Sequence, residues 1–158
     1  MAGKPIRLEI RRGLKDGADP VHAGSFLRER RIAFDPDLAG NPRELRRIFV
    51  HELFHFVWVR LGNPRRLAWE DMLRAELRAH ARGELGWSAE WRKRALAPDD
   101  IRRRSRRWRE YACESFCDTG AWLYSGIRSH AEFTLARRFR ELRRHWFISF
   151  AVTQGISV

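Results

Sequence analysis

The sequence predicts a single α+β domain, mainly helical, in which a small N-terminal sheet packs on about five helices. Residues 6–12 alternate apolar and basic side chains, which is the period of a half-buried strand. From Asn41 onward, helix-capping residues recur ahead of segments whose apolar residues have helical spacing. The 158 residues, of which 44% are hydrophobic, are enough for one domain with a real core.

Strands are predicted only in the N-terminal part of the chain. Residues 6–12 form the first strand, and residues 31–35 form a second one that Pro36 ends. Glycines and a proline within residues 13–24 predict a loop after the first strand. For residues 25–31 the pattern leaves open a short helix or a further extended piece.

Five helices are predicted in the rest of the chain, covering residues 42–61, 64–82, 89–96, 98–124 and 130–144. Asn41 can cap the first helix, and Pro42 suits its first position. Apolar residues surround this helix on nearly every side, which predicts that it is buried. Ser129 and Glu132 form a capping box that opens the last helix. The apolar residues 146–152 either extend that helix or form an extended segment.

The chain is strongly basic, with a formal net charge of +12. Such a charge suits phosphate binding, but the arginines are spread over every predicted helix, so nucleic acid is an alternative partner and not the favoured one. The longest apolar run, residues 48–59, is too short to span a bilayer, and the N-terminus has no apolar signal segment. We therefore expect a cytoplasmic protein without membrane contact.

Two further residue types are assigned to the core. Cys113 and Cys117 lie one turn apart on the predicted fourth helix, and we expect reduced thiols that pack in the core on the side opposite Glu114. The seven tryptophans mostly recur at helical spacing with other apolar residues, so most of them are expected to be core anchors.

The first predicted helix contains the pentapeptide His-Glu-Leu-Phe-His at residues 51–55. His51 and His55 lie one turn apart on one face of the helix, so both imidazoles can reach one metal ion. Glu52 stands beside them, where it can act on water held by that metal. Because the helix is predicted to be buried, these polar groups need partners.

A catalytic zinc usually takes three protein ligands, so the two histidines leave one ligand to find. The best source is the predicted fourth helix, where Glu114 and Asp118 lie one above the other beside an apolar stripe. We expect Glu114 to bind the metal and Asp118 to accept a hydrogen bond from the non-ligating N–H of a motif histidine, His51 being the favoured one. Glu110, one turn before Glu114, is a rival ligand.

Together these motifs resemble the gluzincin metallopeptidases, in which a His-Glu-x-x-His helix is followed by a helix with Glu-x-x-x-Asp. The resemblance implies a zincin-like fold, a Zn²⁺ cofactor held by His51, His55 and Glu114, and a peptide or protein substrate. It makes Glu52 the general base and Asp118 the support of a histidine ligand. In that family a strand leading towards the motif helix forms the edge on which the substrate lies, and residues 31–38 match it.

Gluzincins commonly use a Tyr or His to hydrogen-bond the developing oxyanion. His130, which follows the ligand helix, is the first candidate here, and Tyr111 is the second; Tyr124 and His145 stay open. The leading hypothesis is a zinc-dependent metallopeptidase. The alternative is a catalytically weak or inactive zincin-fold protein that uses its basic surface to bind nucleic acid or an acidic protein partner.

Overall fold

The described strands all lie in the N-terminal part of the chain, and the helices follow them, joined by loops. The structure is a computed structural model that describes residues 4–154; for residues 16 and 150–154 it describes the backbone only. Over these residues it is a mixed α+β protein, 59% helical, with six helices and a small three-stranded sheet. The predicted fold class is therefore confirmed. Among residues 4–154, no helix combines the length and the apolar character that crossing a membrane requires.

The described residues contain five strands, namely β1 (Arg7–Ile10), β2 (Lys15–Asp16), β3 (Asp19–Pro20), β4 (Ala23–Phe26) and β5 (Arg31–Phe34). The main sheet has the order β1-β5-β4, with β5 parallel to β1 and antiparallel to β4. Ile32 and Ala33 of β5 are completely buried because this strand lies in the middle of the sheet. The predicted substrate edge at residues 31–38 is therefore wrong, since β4 is the edge strand on that side.

The predicted loop after β1 contains the small hairpin β2–β3, and residues 25–31 begin as an extended strand instead of a helix. A short 3₁₀ helix, Pro36–Gly40, then leads into the helical part. The helices are α1 (Pro42–Arg60), α2 (Asn63–Arg78), α3 (Trp87–Arg94), α4 (Pro98–Arg102), α5 (Arg106–Tyr124) and α6 (Arg137–Gln154). As predicted, the Asn41 side chain caps α1 by accepting a hydrogen bond from the backbone N–H of Glu44.

Two helix predictions are wrong. The single helix expected over residues 98–124 is divided between α4 and α5, because Arg104 has a left-handed φ of 52° and Ser105 caps a new helix. The last helix begins at Arg137 and not at residue 130, so Ser129 and Glu132 do not open it. Instead, the Glu132 carboxylate accepts a hydrogen bond from the backbone N–H of Trp87, which begins α3.

The main core cluster joins α1 and α5, which pack closely, with buried residues of α2, α3 and α6. A Cβ atom on Gly120 of α5 would lie 2.4 Å from the Phe54 ring of α1, so only glycine permits this approach. Trp69 and Trp108 are completely buried nearby, as expected of core anchors. The close contact brings the His-Glu-Leu-Phe-His segment of α1 against the second half of the chain.

A buried ionic network fixes the segment before α3. The guanidinium of Arg143, completely buried in α6, lies 2.7 Å from a carboxylate oxygen of Glu76 and 2.7 Å from one of Glu84. The ammonium of Lys93 lies 3.2 Å from the other oxygen of Glu84. Buried charges are tolerated only when they are paired and hydrogen-bonded, so these contacts hold the loop between α2 and α3 in one position.

Candidate metal centre

His51 and His55 of α1 and Glu114 of α5 converge at one point. The Nε2 atom of His51 lies 3.2 Å from Oε2 of Glu114 and 3.3 Å from Nε2 of His55. The third separation, between Nε2 of His55 and Oε2 of Glu114, is 3.9 Å. These three residues form one of the groups in the described part of the chain that could hold a metal ion.

The separations fit a tetrahedral zinc ion. Ligand atoms about 2.0–2.1 Å from zinc at the tetrahedral angle are about 3.3–3.4 Å apart. Two of the three separations are within 0.2 Å of this value, at 3.2 and 3.3 Å, and the third is somewhat longer. Two imidazole nitrogens and a carboxylate oxygen are also a donor set that catalytic zinc sites use.

Asp118 fixes the proton position on His51. Its Oδ1 lies 2.7 Å from Nδ1 of His51, which is the contact that the sequence predicts, and its Oδ2 accepts a hydrogen bond of 3.0 Å from the backbone N–H of Ala89. Because a carboxylate can only accept, Nδ1 of His51 carries the hydrogen. In the neutral imidazole the lone pair is then on Nε2, the atom that faces Glu114.

The second histidine has a sulfur partner. Nδ1 of His55 lies 3.6 Å from the thiol sulfur of Cys113, so Nε2 of His55 again faces the cluster. The prediction that Cys113 lies on the side opposite Glu114 is wrong, because consecutive helix residues are only about 100° apart and α1 packs over both. Cys117 is completely buried in the core, as expected. Both thiols are free, and with His55 they form a second potential metal-ligand group.

The cluster favours a cation. Burial alone would lower the pKa of His51, but the charges of Asp118 and Glu114 outweigh burial and raise that pKa well above its usual value. The pKa of His55 is about 9, since the charge of Glu114 also outweighs burial there. Burial would raise the pKa of Glu114, whereas the two imidazoles hold it at about 2. The metal-free cluster therefore holds protons on its imidazoles, and a divalent cation can replace their charge.

The cluster opens into a cleft of about 1250 Å³, which β4, α1, α3 and α5 line. Glu52 reaches the cleft beside the histidines, and one of its carboxylate oxygens lies 2.6 Å from the Ser25 hydroxyl of β4. Arg92 of α3 also lines the cleft, with its guanidinium 3.8 Å from Oε1 of Glu114. Local sequence patterns gave no signal for Ser25 or Arg92, because both contacts join distant parts of the chain.

The expected oxyanion donors lie elsewhere. Tyr111 is completely buried, and its hydroxyl donates a 2.6 Å hydrogen bond to Glu84. His130 lies 3.1 Å from a carboxylate oxygen of Glu44, beside a smaller separate cavity. Among the described residues that line the cleft, the sequence candidates Tyr111, His130, Tyr124 and His145 are all missing. The prediction of His130 and Tyr111 as oxyanion donors is therefore corrected.

The rival ligand Glu110 lines the outer part of the cleft, where its carboxylate pairs with the exposed Arg106 of the same helix. It belongs to none of the potential metal-ligand groups in the described residues, whereas Glu114 does. Comparisons of the chain with protein-family models, with curated proteins and with solved structures found no match. The interpretation of the site therefore rests on these residues and their geometry.

Proposed function

We propose that the protein is a zinc metallopeptidase of gluzincin type that hydrolyses peptide bonds. One observation carries the proposal: Nε2 of His51, Nε2 of His55 and Oε2 of Glu114 lie 3.2–3.9 Å apart at the floor of an open cleft. That spacing would suit three ligands of one zinc ion, and a zinc with three protein ligands would keep a fourth position for water. Structural zinc sites have four protein ligands, so the three-ligand arrangement favours catalysis.

Zinc with three protein ligands lowers the pKa of bound water to about 7 and polarises a carbonyl group. Glu52 is the general base. This residue follows His51 in the sequence, and it lines the same cleft as the ligand residues. It accepts the proton of the attacking water and delivers it to the leaving amine. The Ser25 hydroxyl, 2.6 Å from that carboxylate, holds it in one orientation.

The edge strand β4 is the natural place for a peptide. It pairs with β5 on one side only, and residues 21–27, which include it, line the cleft. An edge strand offers unpaired N–H and C=O groups, which an extended peptide can satisfy by adding a strand. Substrate bound in this way passes Ser25 and Glu52, so a peptide bond reaches the general base.

Arg92 takes the place of the oxyanion donors that the sequence suggested. Its guanidinium brings a cationic group into contact range of the ligand set, 3.8 Å from Oε1 of Glu114. An arginine always carries its charge and presents several N–H donors. It is therefore suited to hydrogen-bond the oxygen that gains negative charge when the carbonyl is attacked.

The test combines metal analysis with single substitutions. Purified protein is expected to contain one zinc ion per chain under non-chelating conditions and to cleave members of a fluorogenic peptide library. Glu52→Gln should keep the zinc and lose the activity, whereas Glu114→Gln should lose the zinc. Glu110→Gln should keep the zinc, which separates the two candidate ligands. Glu141→Gln, at a half-exposed carboxylate on α6, is the matched control.

A preparation without stoichiometric zinc, or a Glu52→Gln variant that still cleaves peptides at the normal rate, contradicts the proposal. The net charge of +12 supports the alternative of a zincin-fold binding protein whose partner is nucleic acid. Salt-sensitive DNA binding that is unchanged by Glu52→Gln, together with no cleavage of any peptide, would favour that alternative.

A further inference from the structure

Two tryptophans depart from the expected core positions. Trp87 is 57% exposed and Trp91 is 45% exposed, although both are large aromatic residues. They lie one turn apart on α3, and both line the cleft that contains the metal-ligand cluster. Large exposed apolar side chains that cluster in a cleft commonly belong to a binding site, whereas single exposed apolar residues elsewhere on the surface need no such explanation.

The position of these rings relative to the cluster is fixed. The backbone N–H of Ala89, between the two tryptophans, donates to Asp118, and Asp118 contacts His51. The backbone N–H of Trp87 donates a 2.8 Å hydrogen bond to Glu132. Both bonds hold the first turn of α3, so the helix cannot shift without disturbing the metal centre. A rigid support of this kind is what a specificity site needs.

An arginine guanidinium also lies over each ring. The guanidinium of Arg92 lies 4.4 Å from the ring centre of Trp91, and that of Arg94 lies 5.9 Å from the ring centre of Trp87. Cation–π contacts of this kind restrict the rotation of the rings without covering them, since both stay exposed. The apolar surface that remains open is continuous with the cleft and faces water until something binds there.

We propose that Trp87 and Trp91 form a subsite for one large aromatic or aliphatic side chain of the peptide substrate. The inference rests on the proposed peptidase function and names the substrate class of the same site. The occupant follows from continuity with the cleft: α3 and β4 line the same space, and an extended peptide presents side chains on alternate faces. A side chain next to the scissile bond can thus pack on the rings while the backbone pairs with β4.

The experiment compares two zinc-binding probes on the zinc-loaded full chain. N-acetyl-phenylalanine hydroxamate and N-acetyl-alanine hydroxamate differ only in their side chain, and their dissociation constants are measured by titration calorimetry. The phenylalanine probe is expected to bind about tenfold more tightly, because it buries more apolar area. Trp91→Ala and Trp87→Ala should bring the ratio close to one, while Trp91→Phe should keep most of it. Zinc content is measured for every variant.

Leu142→Ala is the matched control, since Leu142 is 53% exposed on α6 and does not line the cleft. A zinc-loaded protein that binds both hydroxamates equally, or whose preference survives both tryptophan substitutions, overturns the subsite and leaves the metal centre standing. A protein that binds no zinc overturns both proposals. Single-stranded DNA binding that depends on the tryptophans, with an unchanged hydroxamate ratio, would assign the rings to base stacking and likewise overturn the subsite.

Discussion

Asp118 is the residue through which the geometry of the proposed metal centre can be tested most directly. The change is Asp118→Asn, which keeps the size of the side chain and removes its charge. In the native protein the two carboxylate oxygens each accept one hydrogen bond, from Nδ1 of His51 at 2.7 Å and from the N–H of Ala89 at 3.0 Å. An amide has one accepting oxygen and one donating nitrogen, so it cannot satisfy both donors.

Either orientation of the substituted amide is unfavourable. If its oxygen faces His51, its NH₂ group meets the N–H of Ala89, and two donors oppose each other. If the NH₂ group faces His51, it donates to Nδ1 and forces the imidazole hydrogen onto Nε2, the atom that should bind zinc. Removing such a supporting partner typically weakens metal binding by about 10–100-fold, or about 1.4–2.8 kcal/mol. We expect the upper part of this range, because Asp118 is only 1% exposed.

The assay is the zinc dissociation constant, measured by competition with a chromophoric chelator at pH 7.5. Circular dichroism and thermal unfolding of the metal-free variant show whether the fold is kept; a loss of about 2 kcal/mol of unfolding free energy is expected from the lost charged hydrogen bonds. Asp99→Asn, at a half-exposed carboxylate on α4, is the control. A folded Asp118→Asn variant that binds zinc within twofold of the native affinity refutes the assignment of the His51 tautomer.

Three further predictions concern the same region and the buried network. Gly86→Ala should weaken zinc binding at least about tenfold, because the new Cβ would lie 2.2 Å from Asp118 Cγ; unchanged chelator competition would contradict this. Zinc binding at pH 7 should release about two protons, since His51 and His55 both have raised pKa values. Calorimetry in buffers of different ionisation enthalpy counts the released protons, and a result of zero would contradict the prediction. Burial would raise the pKa of Glu84, but the cations paired with this carboxylate hold the pKa at about 2. The ionised carboxylate therefore contributes on the order of 3 kcal/mol to the free energy of unfolding above about pH 4.5, and this contribution is lost as the pH falls towards 2. Acid unfolding of Glu84→Gln should lack that contribution, and an identical pH dependence in both proteins would show that Glu84 does not supply it.

Features that depend on local spacing could be predicted from the sequence. The helical period places His51 and His55 on one face, and the same period places Asp118 one turn after Glu114. The cap at Asn41 fixes the start of α1 for the same local reason. These facts predict which side chains can meet, because each helix behaves as a rigid rod once its apolar face is known.

Features that depend on long-range partners could not be predicted. Ser25 meets Glu52 only because β4 is the edge strand, and nothing in the local pattern around residue 25 sets the strand order. Glu132 has the spacing of a capping residue, yet it binds the N–H of Trp87 and the guanidinium of Arg47 instead. In both cases the partner of the side chain is set by a tertiary contact and not by the local sequence pattern.

The carboxylate of Asp118 links three parts of the molecule that sequence separates. It contacts Nδ1 of His51 and fixes its tautomer, it accepts the N–H of Ala89 in the first turn of α3, and it leaves no room for a side chain at Gly86. Because α3 carries Trp87 and Trp91, the aromatic wall of the cleft and the proposed metal centre share one hydrogen-bonded anchor. By linkage, zinc that binds only the folded site must stabilise the position of α3, and anything that holds α3 in place must strengthen zinc binding by the same free energy.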